Sequence, residues 1–249
     1  MEETIIMTKF LTGGGGKAAR RKAFTLAEVL ITLGIIGVVA AMTLPALNGY
    51  YKKQEIVVRL KKFYSTLNNA LLMSVSQNGE MIYWKYPDTQ NDGEQVTEFV
   101  NKYLFPYLSG IKECSASMND LNCKKIVQNL WQDNSGQKYP SYVFSDGSCF
   151  TILPGGSDTT AGMLHLRYDI NCMGKPNKLN SDIFSLTISH SESKFKLTVG
   201  STSTHNLTKR EDIMRECKNE ENNPHSQGAC GALIYFDNWE IKDDYPVKI

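Results

Sequence analysis

The chain has 249 residues, of which 41% are hydrophobic and 21% are charged, and its formal net charge is +1. The first 23 residues carry a net charge of +3, which leaves a net charge of −2 for all the residues that follow. A long, slightly acidic body lacks the basic surface that binds phosphate backbones, so nucleic acid is excluded as the main partner.

Residues 24–44, FTLAEVLITLGIIGVVAAMTL, form a long apolar stretch that contains one ionisable residue, Glu28. As an α-helix, these 21 residues rise about 32 Å, and the hydrocarbon core of a bilayer is about 30 Å thick. The stretch is preceded by four basic residues, which are Lys17, Arg20, Arg21 and Lys22. Because basic flanks tend to stay in the cytoplasm, we expect one membrane span, with the remainder of the chain exported.

All six cysteines follow the apolar stretch, at Cys114, Cys123, Cys149, Cys172, Cys217 and Cys230. Disulfides persist in exported compartments, so the chain can form three of them. Six cysteines allow about fifteen connectivities, of which the pairing of sequence neighbours is the simplest. The spacing lacks the Cys/His pattern of a zinc site, and buried free thiols are the alternative to disulfides.

The residues before the span are arranged differently from a secretory signal, in which cleavage follows the apolar region. Here basic residues, a small residue and then the apolar run indicate a cut in front of the run. The segment Arg21 to Leu30, RKAFTLAEVL, resembles the prepilin processing site of type IV pilins and type II secretion pseudopilins. The resemblance implies that a prepilin peptidase cuts the Ala23–Phe24 bond and methylates the new amine of Phe24. The family usually has Gly where this chain has Ala23.

Glu28 is the acid that, by the same resemblance, pairs with the amine of a neighbouring subunit. A charged side chain inside a membrane helix costs about 2.5 to 3.5 kcal/mol on insertion scales, so it is kept for pairing or function. The amine that cleavage creates is a natural partner, because an ion pair between subunits fixes the axial register of their helices. The alternative is that the Glu28 side chain extends to the interface near the helix end.

Beyond the span, Pro45 predicts a kink, after which the helix resumes. Apolar residues recur every three to four positions from residue 50 to residue 77, which is typical of a helix with one buried face. A helix from Phe24 to Gln77 contains 54 residues and is about 80 Å long. Its apolar first half and amphipathic second half are similar to the long helix of a pilin.

The rest of the chain predicts short helices around a group of strands. Helices are predicted at 96–104, at 126–131 and, from a capping box at Thr208 and Glu211, up to Cys217. Apart from its helical turns, the polar region 110–136 is predicted to be a loop closed by Cys114 and Cys123. Strands are predicted at 142–144, 149–153, 163–170, 183–189 and 195–199, and two apolar segments follow at 233–236 and 239–241. The fold class is therefore α+β, with the amphipathic half of the long helix covering an antiparallel sheet.

The loop between the third and fourth predicted strands, YDINCMGKPNKLNSDIF, resembles a loop in pseudopilin heads. The matching residues are Asp169, Asn171, Asn177 and Asp182, whereas Cys172 and Asn180 stand where the family has Gly. In some members this loop holds calcium, which takes about six to eight oxygen ligands. The four residues can supply part of such a set, and they can equally form turns and cap backbone groups.

The sequence offers little for catalysis. Its four histidines, His165, His190, His205 and His225, lack metal-binding spacing, and there is no GxSxG nucleophile motif. Cys149, in DGSCF, can be drawn as a nucleophile with a distant histidine, but each histidine is explained at least as well as a strand or loop residue. We therefore expect a protein that is not an enzyme.

The residues and the resemblance together predict a removed leader at 1–23, a long helix at 24–78 with its transmembrane half at 24–44, and a pilin-like head at 79–249. The implied function is that of a pilin or pseudopilin subunit, which a prepilin peptidase processes and which assembles through its N-terminal helix. The implied partners are other such subunits and an inner-membrane assembly platform. The implied location is the bacterial cytoplasmic membrane, with the head outside the cytoplasm, and then a filament. A membrane-anchored periplasmic binding or adhesion module is the alternative.

Overall fold

The computed structural model describes residues 24–89, 92–114, 120–130, 139–155, 163–191, 194–200, 204, 207–219 and 228–249. The predicted leader, with Ala23, and Trp131 lie outside the described residues. The chain divides into two compact units, Met1–Leu47 and Asn48–Ile249.

A single long helix, α1 (Leu26–Asn78), has Pro45 inside it and crosses the boundary between the two units. The long helix predicted at 24–77 is thus confirmed, with ends that differ by one or two residues, as helix ends commonly do. Gly79 follows at a φ of +79°, the left-handed conformation that glycine adopts without strain and that commonly ends helices. The backbone is helical through Pro45, and the kink expected there stays a prediction.

Within the described part of the chain, four shorter helices and six strands follow α1. The helices are α2 (Gly93–Tyr103), α3 (Leu121–Leu130), α4 (Arg210–Asn219) and α5 (Ala229–Phe236), with 3₁₀ turns at Met81–Tyr83 and Phe105–Tyr107. The strands are β1 (Ile111–Cys114), β2 (Ser141–Phe144), β3 (Cys149–Pro154), β4 (Leu164–Asp169), β5 (Ile183–Ser191) and β6 (Lys194–Val199).

The six strands form one antiparallel sheet in which each strand pairs with the next along the chain, in the order β1-β2-β3-β4-β5-β6. The register sets Tyr142 opposite Phe150, Phe150 opposite Tyr168, and Tyr168 opposite Phe184. Because side chains alternate between the two faces of a strand, these four rings share one face. The predicted α+β class and the antiparallel sheet are confirmed.

The second half of α1 covers this aromatic face. The ring of Phe63 stacks on that of Tyr168, with centroids 4.0 Å apart and planes 3° from parallel, and it also contacts Phe150 at 5.4 Å. The stripe that α1 buries includes Ile56, Leu60, Phe63, Leu67 and Leu71. The Tyr168 hydroxyl also donates to the Arg59 carbonyl at 3.3 Å, so the helix is held both by apolar contact and by hydrogen bonding.

The prediction of a loop over 110–136 is wrong in two places. β1 pairs with β2, from Ile111 opposite Phe144 to Cys114 opposite Ser141, although IKEC lacks the pattern that identifies a strand. Residues 111–114 form a strand because they pair with β2, and not because of their own β propensity. α3 is longer than predicted, because Asp120 accepts hydrogen bonds from the backbone of Asn122 at 2.8 Å and of Cys123 at 3.4 Å, which starts the helix early.

The helix predicted from a capping box at Thr208 is present as α4, but it begins at Arg210. Lys209 therefore precedes the first turn, and its carbonyl accepts the first helical hydrogen bond, from Ile213 at 3.3 Å. The apolar segment predicted at 233–236 is the second half of α5. Arg210 fixes the two helices' ends by donating to Asp237 at 2.7 to 3.0 Å and to Asp244 at 2.8 Å.

Candidate functional site

The described chain begins with Phe24, whose side chain is 84% exposed, and α1 starts two residues later. Thr25 and Glu28 bond to each other reciprocally at this start. The backbone N–H and the hydroxyl of Thr25 donate to Glu28 Oε2 at 2.8 and 2.9 Å, and the backbone N–H of Glu28 donates to the Thr25 hydroxyl at 3.2 Å. This is a capping box, in which residues three apart satisfy the free N–H groups of a helix start.

The capping box places the carboxylate of Glu28 at the positive end of the helix dipole, close in sequence to Phe24, the residue predicted to follow the cut. Glu28 Oε2 takes both bonds from Thr25, and no described residue is recorded as a donor to Oε1. The side chain is thus held in one orientation by Oε2, and Oε1 accepts no hydrogen bond from the described residues. Thr25 was not among the predicted site residues, although the spacing T-x-x-E in the sequence is a signal that could have identified it.

The first part of α1 is apolar on all sides and is covered by nothing within the described chain. An 18-residue window reaches a mean hydropathy of 2.3, and none of that window is buried. Exposed fractions are 61% for Leu30, 60% for Ile35 and 62% for Ile36. A helix that is hydrophobic all round needs an apolar environment from outside, either a membrane or other helices. By length and composition α1 can cross a membrane.

The loop from Asp169 to Asp182 is organised by its two carboxylates. Asp169 Oδ1 accepts from the backbone N–H groups of Asn171 and Cys172, each at 2.9 Å. The two oxygens of Asp182 accept from the backbone of Asn177 at 2.8 Å and of Lys178 at 2.6 Å. Both aspartates therefore act as turn formers, which is one of the two roles that the sequence allowed.

Cys172 and Asn180, the two residues that stand where the resemblance has Gly, both have left-handed backbone, with φ of +50° and +66°. A glycine fits such positions at no steric cost, and asparagine tolerates them better than most residues. Cys172 is held there by the hydrogen bond from its N–H to Asp169 and by its disulfide with Cys149. The backbone thus has the form that the family's glycines would favour, although the side chains differ.

This loop supplies only some of the oxygen ligands that the predicted calcium site would need. Burial raises the pKa of Asp169 to about 6 against the opposing effect of its backbone donors, and the nearby Asp182 carboxylate raises it further. Among the described residues, Asp169 Oδ2 and Asn171 Oδ1 are buried oxygens with no recorded hydrogen-bond partner. Calcium takes about six to eight oxygens. The described residues hold no cluster of three or more acidic, histidine or cysteine side chains able to bind a metal, and calcium stays a prediction.

All six cysteines are joined in disulfides, as Cys114–Cys123, Cys149–Cys172 and Cys217–Cys230. This is the pairing of sequence neighbours, and it leaves no free thiol. The first bridge ties β1 to α3, the second ties β3 to the loop after β4, and the third ties α4 to α5. A thiolate nucleophile at Cys149, which the sequence left open, is therefore ruled out in the oxidised chain.

The predicted residues thus fall into separate groups. Phe24 and Glu28 lie at the start of α1, and the loop residues lie in the unit Asn48–Ile249. Of the histidines, His165 is the one whose side chain is described; burial lowers its pKa, and its Nδ1 lies 3.4 Å from the Thr187 hydroxyl. That pair joins neighbouring strands of the sheet, β4 and β5.

Two family models match the chain, and no solved structure matches it. Residues 18–44 match the prokaryotic N-terminal methylation motif, which is the signature of type IV pilins and pseudopilins and confirms the resemblance. Residues 46–249 match a family of unknown function, DUF6613. The chain is a type IV pilin-like precursor that belongs, over most of its length, to the family DUF6613.

Proposed function

We propose that the mature chain starts at Phe24 and is a structural subunit that assembles through α1 into a type IV pilus or a type II secretion pseudopilus. The observation that carries this proposal is the methylation motif at 18–44, which overlaps the first part of α1, where the apolar surface is exposed on all sides. The removed leader is 1–23, and the mature chain comprises the long helix, 24–78, and a head, 79–249. The second half of the helix is packed into the compact unit with the head.

Processing follows from the chemistry around the proposed cut. The prepilin peptidase hydrolyses the Ala23–Phe24 bond, and methylation of the new Phe24 amine leaves it cationic. Phe24 precedes the helix and is exposed, so the amine created there is accessible. Glu28 of a neighbouring subunit supplies the opposite charge, and Thr25 holds that carboxylate in a fixed orientation.

Assembly removes the apolar half of α1 from the bilayer and buries it among the helices of other subunits. The Phe24 to Glu28 pair then lies in a low-dielectric environment, where an unpaired charge is costly and a matched pair specifies register. An inner-membrane platform is the partner that such extraction requires. The three disulfides suit a head that lies outside the cytoplasm, because disulfides persist in that environment.

Mass spectrometry of the N-terminus of the native protein tests processing. We expect a chain that begins with N-methyl-Phe24, whereas an intact Met1, or cleavage after the apolar run, would contradict the proposal. Ala23→Gly restores the residue usual in the family and should be processed at least as well. Ala23→Lys places a long cation at the cut and should leave the precursor uncleaved.

A second substitution tests assembly separately from processing. Glu28→Ala should leave cleavage largely intact, since Glu28 lies beyond the cut, but should abolish the pairing between subunits. The measurement is the amount of filament, or of secreted substrate, produced by cells that carry the variant. Normal filament or secretion activity in Glu28→Ala cells counts against the pairing role.

A membrane-anchored binding or adhesion module is the second candidate function, and one feature favours it. A groove of about 690 Å³ lies beside β6, between α1 and α5, and it is lined by Tyr64, Leu72, Phe195, Tyr235 and Phe236 among others. Burial and the neighbouring Tyr235 raise the pKa of Tyr64 to about 12, so its hydroxyl stays protonated and donates to the Leu197 carbonyl at 3.4 Å. If the chain is cleaved at Phe24 but never joins a filament, this groove becomes the better guide to function.

A further inference from the structure

The strand β6 forms one edge of the sheet, since it is last in the strand order and pairs with β5 alone among the described strands. Next to its end, the backbone N–H of Gly200 donates to the Ser185 carbonyl at 2.8 Å. In an antiparallel pair, the backbone groups of every second residue point to the partner strand. The N–H and C=O groups of Phe195 and Leu197 therefore point away from β5, to the open edge.

The outward backbone groups of these two residues are mostly unpaired. No hydrogen bond with a described residue is recorded for the N–H group of Phe195 or Leu197, or for the Phe195 carbonyl. The Leu197 carbonyl accepts from the Tyr64 hydroxyl at 3.4 Å, and a carbonyl oxygen has a second lone pair. Further along β6, Gly231 of α5 packs against Val199, which is 1% exposed, so α5 covers that end of the edge. The unpaired groups before it are a template for a further strand.

The groove beside β6 follows this edge, because residues 195–199 line it one after another. Another wall is formed by α1, where Tyr64, Asn68 and Leu72 are four residues apart and so share one helix face. From the first to the last of these three residues the helix rises about 12 Å, and residues 195–199 span about 14 Å. An extended segment of about four residues therefore matches both walls in length.

The lining of the groove is mainly apolar and aromatic. Leu72, Tyr235 and Phe236 are between 41% and 51% exposed, so they present apolar surface to solvent. Among the described lining residues there is no Asp or Glu, and the one charged residue is Lys196. Because side chains alternate along a strand, Lys196 lies on the face of the sheet opposite to the buried side chain of Leu197. An occupant beside β6 thus meets apolar side chains on one face and a cation on the other.

We propose that this groove binds an extended segment of a partner polypeptide, which adds to the sheet as a strand beside β6. Its alternate residues are apolar and contact α1 and α5, and an acidic residue between them pairs with Lys196. Adjacent unpaired N–H and C=O groups need both an acceptor and a donor, as another backbone supplies, and the one charge in the lining is complementary to an acid. A second copy of β6 fits less well, because it would bring its own Lys194 and Lys196 to this edge. The inference goes beyond the proposed filament role and does not depend on it.

Hydrogen–deuterium exchange, resolved to single residues, tests strand addition in the full chain in detergent micelles. The probe is the peptide acetyl-TVEVTVT-amide, whose valines alternate with polar residues that include one Glu. At about 1 mM peptide, we expect exchange of the Phe195 and Leu197 N–H groups to slow about fivefold, as a dissociation constant of about 0.25 mM gives. An unchanged exchange rate at both N–H groups refutes the proposal.

The opposite edge of the same sheet supplies an internal control. The Ser145 N–H donates to the Gly110 carbonyl at 3.1 Å, so the N–H groups of Ile111 and Glu113 point away from β2. These residues do not line the groove, and the peptide should leave their exchange rates unchanged. Equal slowing at the two edges would mean non-specific adsorption and would contradict the proposal.

Two exposed leucines on helices provide a matched pair of variants. Leu72→Glu places a carboxylate in the groove and should abolish the slowing, whereas Leu121→Glu, on α3 and outside the groove, should leave it as in wild type. Lys196→Glu should weaken the effect of the peptide and should restore it for acetyl-TVKVTVT-amide, in which the charge is reversed. Equal effects of both peptides on Lys196→Glu would refute the pairing with Lys196.

Two N-methylated forms of the peptide separate strand addition from the binding of a small apolar molecule. One form carries methyl groups on the valine nitrogens, and the other carries them on the Thr and Glu nitrogens, so each lacks the N–H donors of one edge of the peptide. We expect one form to lose its effect and the other to keep it. If both forms slow exchange as the unmethylated peptide does, strand addition is refuted. Since the micelles hold no filament, neither result bears on the proposed filament role.

Discussion

The two halves of α1 belong to one helix but differ in burial. In the second half, Leu60, Leu67 and Leu71 are 0% exposed, because the sheet and the short helices cover them. In the first half, residues of similar hydrophobicity, such as Leu30 and Ile36, remain more than half exposed. The second half therefore contributes to the stability of the single chain. The apolar surface of the first half can be covered only by a membrane or by other helices.

The largest effect on this contrast is expected from Phe63→Ala. Phe63 stacks on Tyr168 and is 3% exposed, so truncation opens a cavity in the core and should lower the free energy of unfolding by about 3 to 5 kcal/mol. Urea denaturation of the detergent-solubilised protein measures it. Ile36→Ala, in the exposed half, is the control and should change the unfolding free energy of the unit Asn48–Ile249 by less than about 0.5 kcal/mol.

Removing a disulfide should rank second. The double variant Cys149→Ser with Cys172→Ser opens a bridge between residues 23 apart in sequence, and we expect a loss of about 2 to 4 kcal/mol. The same change at Cys217 and Cys230, 13 residues apart, should cost slightly less because the shorter loop loses less entropy on closure. Chemical denaturation of the oxidised variants measures both. An unchanged midpoint in either variant would show that the bridge does not stabilise the fold.

Arg210→Met should have an intermediate effect. The side chain of Asp237 is 3% exposed and accepts from Arg210 and from Lys242, whose hydrogen bonds hold the pKa of Asp237 below its usual range. Loss of Arg210 leaves this buried carboxylate with one cation, and we expect about 2 kcal/mol of destabilisation. Arg215→Met, which breaks an exposed pair with Asp212, is the matched control and should cost well under 1 kcal/mol. Equal losses in the two variants would contradict the role of burial.

A smaller, pH-dependent effect is expected at Lys62 and Asp146. Burial raises the pKa of Asp146, but hydrogen bonds from Lys62 and from Ser148 outweigh burial and lower that pKa to about 2. The native pKa lies below the unfolded value of about 3.9, so the pair stabilises the fold above pH 4 and loses this effect as the pH falls towards 2. The pair is largely exposed, so Lys62→Met should cost less than about 1 kcal/mol at pH 7 and nothing measurable near pH 2. Melting temperatures of wild type and Lys62→Met at the two pH values measure the effect.

The smallest effect on unfolding is expected at the start of α1, where the effect on assembly is large. Glu28→Gln keeps an acceptor for Thr25 but removes the charge, so the unfolding free energy should stay within about 0.5 kcal/mol while filaments are lost. Thr25→Val removes the hydroxyl but keeps the carboxylate, and we expect it to assemble less efficiently than wild type but better than Glu28→Gln. Filament yield and urea denaturation, measured together, test both variants. Filaments at the wild-type level in Glu28→Gln would show that the charge is dispensable.

Much of the fold was accessible from the sequence because its signals are local. The apolar run and the amphipathic stripe predicted α1 to within two residues of either end. The strands β2 to β6 were predicted near their observed positions, since alternation and β-branched or aromatic residues mark them. β1 was missed because IKEC is a strand by virtue of β2 alongside it, and no local pattern encodes that partner.

The candidate site divides in the same way. Phe24 and Glu28 are predicted from residue order and stay predictions, whereas the capping box in the structure shows Thr25 to be the hydrogen-bond partner of Glu28. The loop residues Asp169 and Asp182 were predicted with two roles open. The backbone donors around their carboxylates assign them a turn-forming role, which depends on where a folded loop directs its N–H groups.

The sequence by itself determined that this chain has a membrane-competent helix with one acid near its start, because hydrophobicity and charge order are properties of neighbouring residues. It also predicted that the six cysteines, which all follow the apolar stretch, are exported. The tertiary structure decided which cysteines pair, which half of α1 is buried, and that Tyr64, Phe195 and Tyr235 line one groove. Those facts depend on contacts between residues far apart in the chain, which form when the sheet and the helix pack together.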